Sequence, residues 1–145
     1  MSLPAKLQRI VDLFAAAPKD IKVQALLDYS NRVPDLPARY ADHPELLERV
    51  HECQSPFFLA AEVNPDETVT IYFDSPREAP TTRGYAGILT EGLAGATAPD
   101  VLSVPDDFYT AMGLQEVVSP LRLRGMGAIL ARTKRQVREG MDSGG

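Results

Sequence analysis

An α+β fold is what this 145-residue chain predicts, on three observations. Apolar residues recur at helical spacing near both ends. A single hairpin signature, with period-two alternation, lies in the middle. No strand–helix–strand unit carries a glycine fingerprint, which argues against a doubly wound parallel sheet. The expected architecture is a small, mostly antiparallel sheet of about three strands that begins with the hairpin. Helices flank it, in the order ααββαβαα. The length fits one domain over residues 1–145, with a core from about 3 to 140 and a flexible tail at 141–145.

The first helix follows from Leu3, Leu7, Ile10, Val11 and Phe14, with Ser2 as its N-cap. Pro18 opens a second helix, in which Val23, Leu26 and Leu27 share a face. Val33-Pro34-Asp35-Leu36-Pro37 ends it, because each proline pushes the residue before it into extended backbone. Pro44–Arg49 reads as a short helical turn. Phe57–Val63 is apolar, Asn64-Pro65-Asp66 is turn chemistry, and Thr68–Phe73 alternates and is rich in β-branched and aromatic residues. Asp74-Ser75-Pro76 closes this hairpin. Thr81 or Thr82 caps a helix that reaches about Leu93 despite Gly84, Gly87 and Gly92. Val101–Val104 is expected as the third strand. Pro105–Met112 follows as a helix stopped by Gly113. Ser119-Pro120 opens the last helix, whose inward stripe is Met126, Ile129, Leu130, Thr133 and Val137.

Composition excludes several function classes. No apolar run reaches the roughly 18 residues of a membrane span. Residues 1–5 lack the basic and apolar run of a secretion signal, so a cytoplasmic location is expected. The net charge of −5 is unevenly divided: residues 1–119 carry 9 cations against 18 anions, and residues 120–145 carry 6 against 2. An acidic chain whose basic stretch holds no aromatic residue for stacking does not suit nucleic acid, so that stretch reads as a solvated helix face. One cysteine and two histidines leave no zinc-finger set, no disulfide and no thiolate set for a cluster. Neither a resident metal nor an organic cofactor is expected.

The chemistry-bearing candidate is Cys53, in Val50-His51-Glu52-Cys53-Gln54-Ser55-Pro56-Phe57-Phe58. Polar neighbours and Pro56 place it in a loop, where reactive groups are commonly presented. A lone cysteine is equally often a packing residue, and its reactivity depends on exposure and thiolate character. Glu52 opposes a thiolate, whereas His51 or an arginine brought close by folding favours one. No second cysteine can resolve a sulfenic acid, so a two-cysteine peroxidase does not fit. Pairing with His43 or His51 as in a cysteine protease lacks an orienting partner.

This segment resembles the cysteine loop of the SufE family, the sulfur acceptors of iron–sulfur cluster assembly, approximately Val-x-Gly-Cys-x-Ser-x-Val-Trp. Three further stretches agree in order: Leu26-Leu27-Asp28-Tyr29 to Val33-Pro34-Asp35-Leu36-Pro37, Asp74-Ser75 to Arg83-Gly84, and Ser119-Pro120-Leu121-Arg122-Leu123-Arg124-Gly125-Met126. Glu52 stands where the family pattern has glycine, and Phe58 where it has tryptophan. The resemblance implies a SufE/NifU-like fold and a carrier that takes persulfide sulfur onto Cys53 from a pyridoxal-phosphate cysteine desulfurase (SufS-like). The carrier then passes the sulfur to a SufBCD-like scaffold and stimulates the desulfurase, as an accessory protein more than a stand-alone enzyme. It further implies a cysteine tucked into an apolar pocket at rest, which Phe57, Phe58 and Leu59 could help form, although Phe57 and Leu59 read more simply as core packing on one face of the strand. Arg122 matches the family's C-terminal arginine and is a candidate to bring positive charge to Cys53, or equally to pair with a surface carboxylate. His51, Glu52, Gln54 and Ser55 are supporting candidates, the last two through local hydrogen bonds. Arg83 is expected to be solvated. The alternative is a non-catalytic interaction module with a structural cysteine. The oligomeric state is left open, a homodimer included.

Overall fold

The computed structural model describes residues 3–144, and Ser2, the expected first cap, lies outside them. Helix α1 (Ala5–Ala16) buries Leu7, Ile10, Val11 and Phe14, as their spacing predicts, and begins after Pro4. Helix α2 (Lys19–Ser30) departs from expectation. Of its predicted face only Leu26 is buried; Val23 and Leu27 are at the surface, and Lys22 and Ser30 are buried instead. The cause lies in helix α4 (Pro80–Gly92). Its Gly84 and Gly87 lie so close to the backbone of Leu26 and Tyr29 that a Cβ would collide with their carbonyl oxygens. The glycines that weaken α4 as an isolated helix therefore let two backbones touch, and that contact fixes which face of α2 turns inward. Lys22 is satisfied in its buried position by the Ala17 carbonyl, 2.5 Å from Nζ, and by Glu116 at 3.3 Å.

Residues 33–37 are extended, as their prolines require, and a one-turn helix α3 (Ala38–Ala41) follows. Pro44–Leu46 is the expected helical turn, in 3₁₀ form, but Glu48–Arg49 continues it as strand β1. Strands β2 (Phe58–Val63) and β3 (Val69–Asp74) form the predicted hairpin, with Leu59 opposite Phe73 and Val63 opposite Val69. The sheet is antiparallel throughout, in the order β1-β2-β3.

The third strand is thus β1, upstream of the hairpin, and not Val101–Val104. The first half of that segment, Val101-Leu102, ends helix α5 (Ala98–Leu102), which is capped by Thr97 with Pro99 in its first turn, and Ser103 is the C-cap. Four residues, Val-Leu-Ser-Val, fit a helical turn as well as a strand, and the Thr-Ala-Pro-Asp start signal decides it. Residues 105–112 form only a 3₁₀ turn at Phe108–Thr110, stopped by Gly113 at φ 75°. Helix α6 (Pro120–Gly144) runs on past Met141, where the sequence places a tail. Its stripe of Met126, Ile129, Leu130, Thr133 and Val137 is fully buried.

The main core lies between the sheet, α1, α4 and α6, with Phe57 and Leu59 at its centre. A second, smaller core covers the other face of the sheet, built on Tyr40, Leu47 and Ala60. There Arg39 stacks over the rings of Tyr40 and Tyr72, at 4.9 and 5.1 Å, and pairs with Glu62. The Tyr40 hydroxyl donates to the same carboxylate at 2.5 Å.

Candidate functional site

Cys53 sits at the bend of a short loop between β1 and β2. The Val50 N–H donates to the Phe57 carbonyl at 2.8 Å, one more rung beyond the ladder, and this closes the loop at its base. The Cys53 N–H donates to the Val50 carbonyl at 3.2 Å, turning the chain inward. The side chain is buried, 8% exposed, against α6. A Cβ at Gly125 would stand 3.1 Å from the Cys53 sulfur, so the glycine is the seat on which the cysteine rests. Glu67 is the one non-glycine residue with positive φ among those described, so the backbone at Glu52 is not left-handed and does not require the family's glycine.

A cleft of about 240 Å³ opens beside the sulfur. Glu52, Cys53, Gln54 and Ser55 form one wall, the start of α4 with Glu78 another, and Leu121, Arg122 and Gly125 of α6 the third. Phe57, Phe58 and Leu59 do not line it. Phe57 and Leu59 are core and share the main buried cluster with Cys53, whereas alternation along β2 turns Phe58 to the Tyr40 cluster on the opposite face. Of the sequence candidates, Glu52, Gln54, Ser55 and Arg122 meet at the cleft, and His51 is exposed and does not line it. Arg122 contributes a wall residue whose N–H donates to the Ser119 hydroxyl at 3.3 Å.

Two residues matter more than their sequence context suggests. Arg83, expected in solvent, is buried: its Nε donates to the Ser30 carbonyl at 2.9 Å and its Nη1 to the Ser75 carbonyl. It clamps the end of α2 to the β3–α4 passage and so places the α4 wall of the cleft. The second is Arg132. Its Nη2 donates to Glu52 at 2.7 Å and its Nη1 to Glu48 of β1 at 2.8 Å. Glu48 also accepts from Gln136 Nε2 at 2.8 Å and from Arg135, while Lys134 reaches Asp106 at 2.8 Å. The basic stretch that reads as a solvated face is in this part an ion-paired seam between α6 and the rest of the molecule. No sequence spacing reveals this, since the partners of Arg132 lie 80 or more residues away.

These surroundings set the chemistry of the thiol. Burial pushes Cys53 up to about 11, the Glu52 carboxylate adds to this, and Arg132 opposes it. The thiol at rest is therefore protonated and a weak nucleophile, since the thiolate is the reactive form. Arg132 in turn holds Glu52 below the ordinary carboxylate range through its hydrogen bond. Among the described residues no cluster of three or more His, Cys, Asp or Glu is arranged to hold a metal ion.

Residues 8–137 match the SufE family, described as the Fe-S metabolism associated domain. The chain belongs to the SufE family. An uncharacterized SufE-like protein of Mycobacterium tuberculosis is 49% identical over 138 residues, 95% of each chain. The cysteine desulfuration protein SufE of Plasmodium falciparum is 28% identical over 137 residues, covering 92% of this chain and 54% of that one. The solution structure of a hypothetical protein from Thermus thermophilus superposes with a TM-score of 0.86 at 45% identity, over 97% of this chain and 99% of that one. A SufE domain thus spans nearly the whole chain and includes the Cys53 loop. No helix among the described residues is long and apolar enough to cross a membrane.

Proposed function

We propose that this protein is a sulfur acceptor. It takes persulfide sulfur from a cysteine desulfurase onto Cys53 and passes it to an iron–sulfur cluster scaffold. The observation that carries the reading is the position of the chain's one cysteine: on a short loop, beside an open cleft, within a SufE domain. The transfer has the logic of thiol–disulfide exchange. The Cys53 thiolate attacks the outer sulfur of the desulfurase persulfide, and a new S–S bond forms as the old one breaks. The electron pair leaves on the desulfurase cysteine as its thiolate, and Cys53 holds the persulfide. No net oxidant or reductant is consumed, and one cysteine is enough. A loop that buries its thiol at rest suits a carrier, because the same burial shields a bound persulfide from reductants.

The burial and protonation of Cys53 also favour a second reading, an interaction module in which the cysteine only packs. Intact mass after incubation with a cysteine desulfurase and cysteine separates the two. The carrier reading expects a reductant-reversible gain of one sulfur atom in the wild type and none in Cys53→Ser. No gain with an active cognate desulfurase overturns it.

A further inference from the structure

We infer that Arg132 is a positioning residue for Cys53. Through Glu52 it latches the cysteine loop shut, so that this ion pair governs how often the thiol is presented. The inference rests on the reading of Cys53 as the sulfur-receiving group and names what regulates it.

The geometry is asymmetric. On one side Arg132 is anchored to rigid structure: Glu48 lies on β1 and is held there by Gln136 and Arg135 as well. On the other side it holds only Glu52, the residue immediately before Cys53, at 2.7 Å. Glu48 is 26% exposed and Glu52 40%, so the loop arm of the pair is the one open to solvent and the one that breaks first. Besides the burial of Cys53 in the main core, little holds the outer part of the loop down. Beneath it α6 offers Gly125, which makes room but supplies no side chain to grip. Gln54 is exposed, and the backbone bonds of the loop are the Val50–Phe57 rung at its base and the Cys53 N–H to the Val50 carbonyl. Arg132 itself leaves its Nε buried and unpartnered, a cost that its two carboxylate contacts must offset. The charges around the latch are Glu48 and Arg135 beside Arg132, His51 beside Glu52, and Glu78 and Arg122 on the other walls of the cleft. Opening the latch releases Glu52 and Cys53 together, because adjacent residues cannot move independently.

The test is the rate at which iodoacetamide alkylates Cys53 in the native full-length protein, followed across pH. The variants are Glu52→Gln, Arg132→Gln, Arg132→Lys, the double Glu52→Gln/Arg132→Gln, and Glu48→Gln. The latch expects each single loss to raise the rate about fivefold, the scale of one partly exposed ion pair. The double variant should be no faster than the faster single variant, and Arg132→Lys should restore most of the closure. Glu48→Gln keeps the Arg132–Glu52 contact but loosens its anchor, so it should raise the rate less than either direct loss. Sign separates the latch from a mere change in thiol acidity: Glu52 raises the Cys53 thiol and Arg132 lowers it, so acidity alone would speed Glu52→Gln and slow Arg132→Gln, whereas latch opening speeds both. Unchanged rates in Glu52→Gln and Arg132→Gln, purely additive effects, a slower Arg132→Gln beside a faster Glu52→Gln, or equal acceleration by Glu48→Gln each overturn the inference. Alkylation needs no desulfurase, so a failure of sulfur acceptance and a failure of the latch are separately visible.

Discussion

The two faces of the sheet each carry an arginine–glutamate pair with a tyrosine or a cysteine beside it. On one face Arg39 pairs with Glu62, and Tyr40 and Tyr72 stack against the guanidinium while Tyr40 donates to the same carboxylate. Glu62 is on a strand, and Tyr40 and Leu47 are buried beneath the cluster. On the other face Arg132 pairs with Glu52, on a loop above a glycine and an open cleft. The ionic chemistry is the same. What differs is the apolar packing under the carboxylate. Backed by stacked rings, the pair fastens a helix to the sheet; backed by empty space, it holds a loop that can let go.

The largest expected effect that sharpens this contrast is on Cys53 itself. With the thiol pushed up to about 11, the native alkylation rate should climb about tenfold per pH unit from pH 7 to 10 without a plateau. At neutral pH it should lie about a hundredfold below that of an unfolded control, whose thiol titrates in the ordinary range. A plateau near pH 8.5 would break the contrast by showing a loop open at rest. The opposite face should respond in stability. Tyr40→Ala is expected to cost about 3 kcal/mol in urea denaturation, as for a buried aromatic truncated. Tyr40→Phe, which loses only the bond to Glu62, should cost about 1 kcal/mol. Neither should speed Cys53 alkylation, and if either does, the two faces are coupled.

The smallest effect is in acid. The bond from Arg39 holds Glu62 below the usual carboxylate range, and that from Arg132 does the same for Glu52. A depressed folded-state value means that stability is fully present above the unfolded value, about 4.3, and is lost as pH falls through the folded one. Denaturation midpoints should therefore hold steady from pH 7 to 5 and decline below about 4.3. Glu62→Gln should flatten that decline more than Glu52→Gln, because its carboxylate is fixed on a strand.

Where one element carries its own signal, the sequence is a sufficient guide. The stripes of α1 and α6, the Asn64-Pro65-Asp66 hairpin and the loop position of Cys53 all depend on residues close together in the chain. Errors arise where a second element decides. Val101–Val104 is too short for its period to be read, and the buried face of α2 is dictated by two glycines on α4. Arg83 is buried because two carbonyls from distant segments converge on it. At the site, Gly125 lies within the family motif, whereas nothing local to Arg132 signals Glu52 or Glu48. The open cleft beside Cys53 is walled by the starts of α4 and α6, while Phe57 and Leu59 join that cysteine in the core as their alternation predicts and Phe58 faces the other way.

The rung between Val50 and Phe57 also sets a length scale. While it holds, Cys53 hangs three residues from a fixed post, and three residues of fully extended chain span about 10 Å. The sulfur therefore swings on a leash of roughly that radius. Any donor sulfur must come within its arc, and any receiving group lodged deeper than that stays out of reach however mobile the loop becomes.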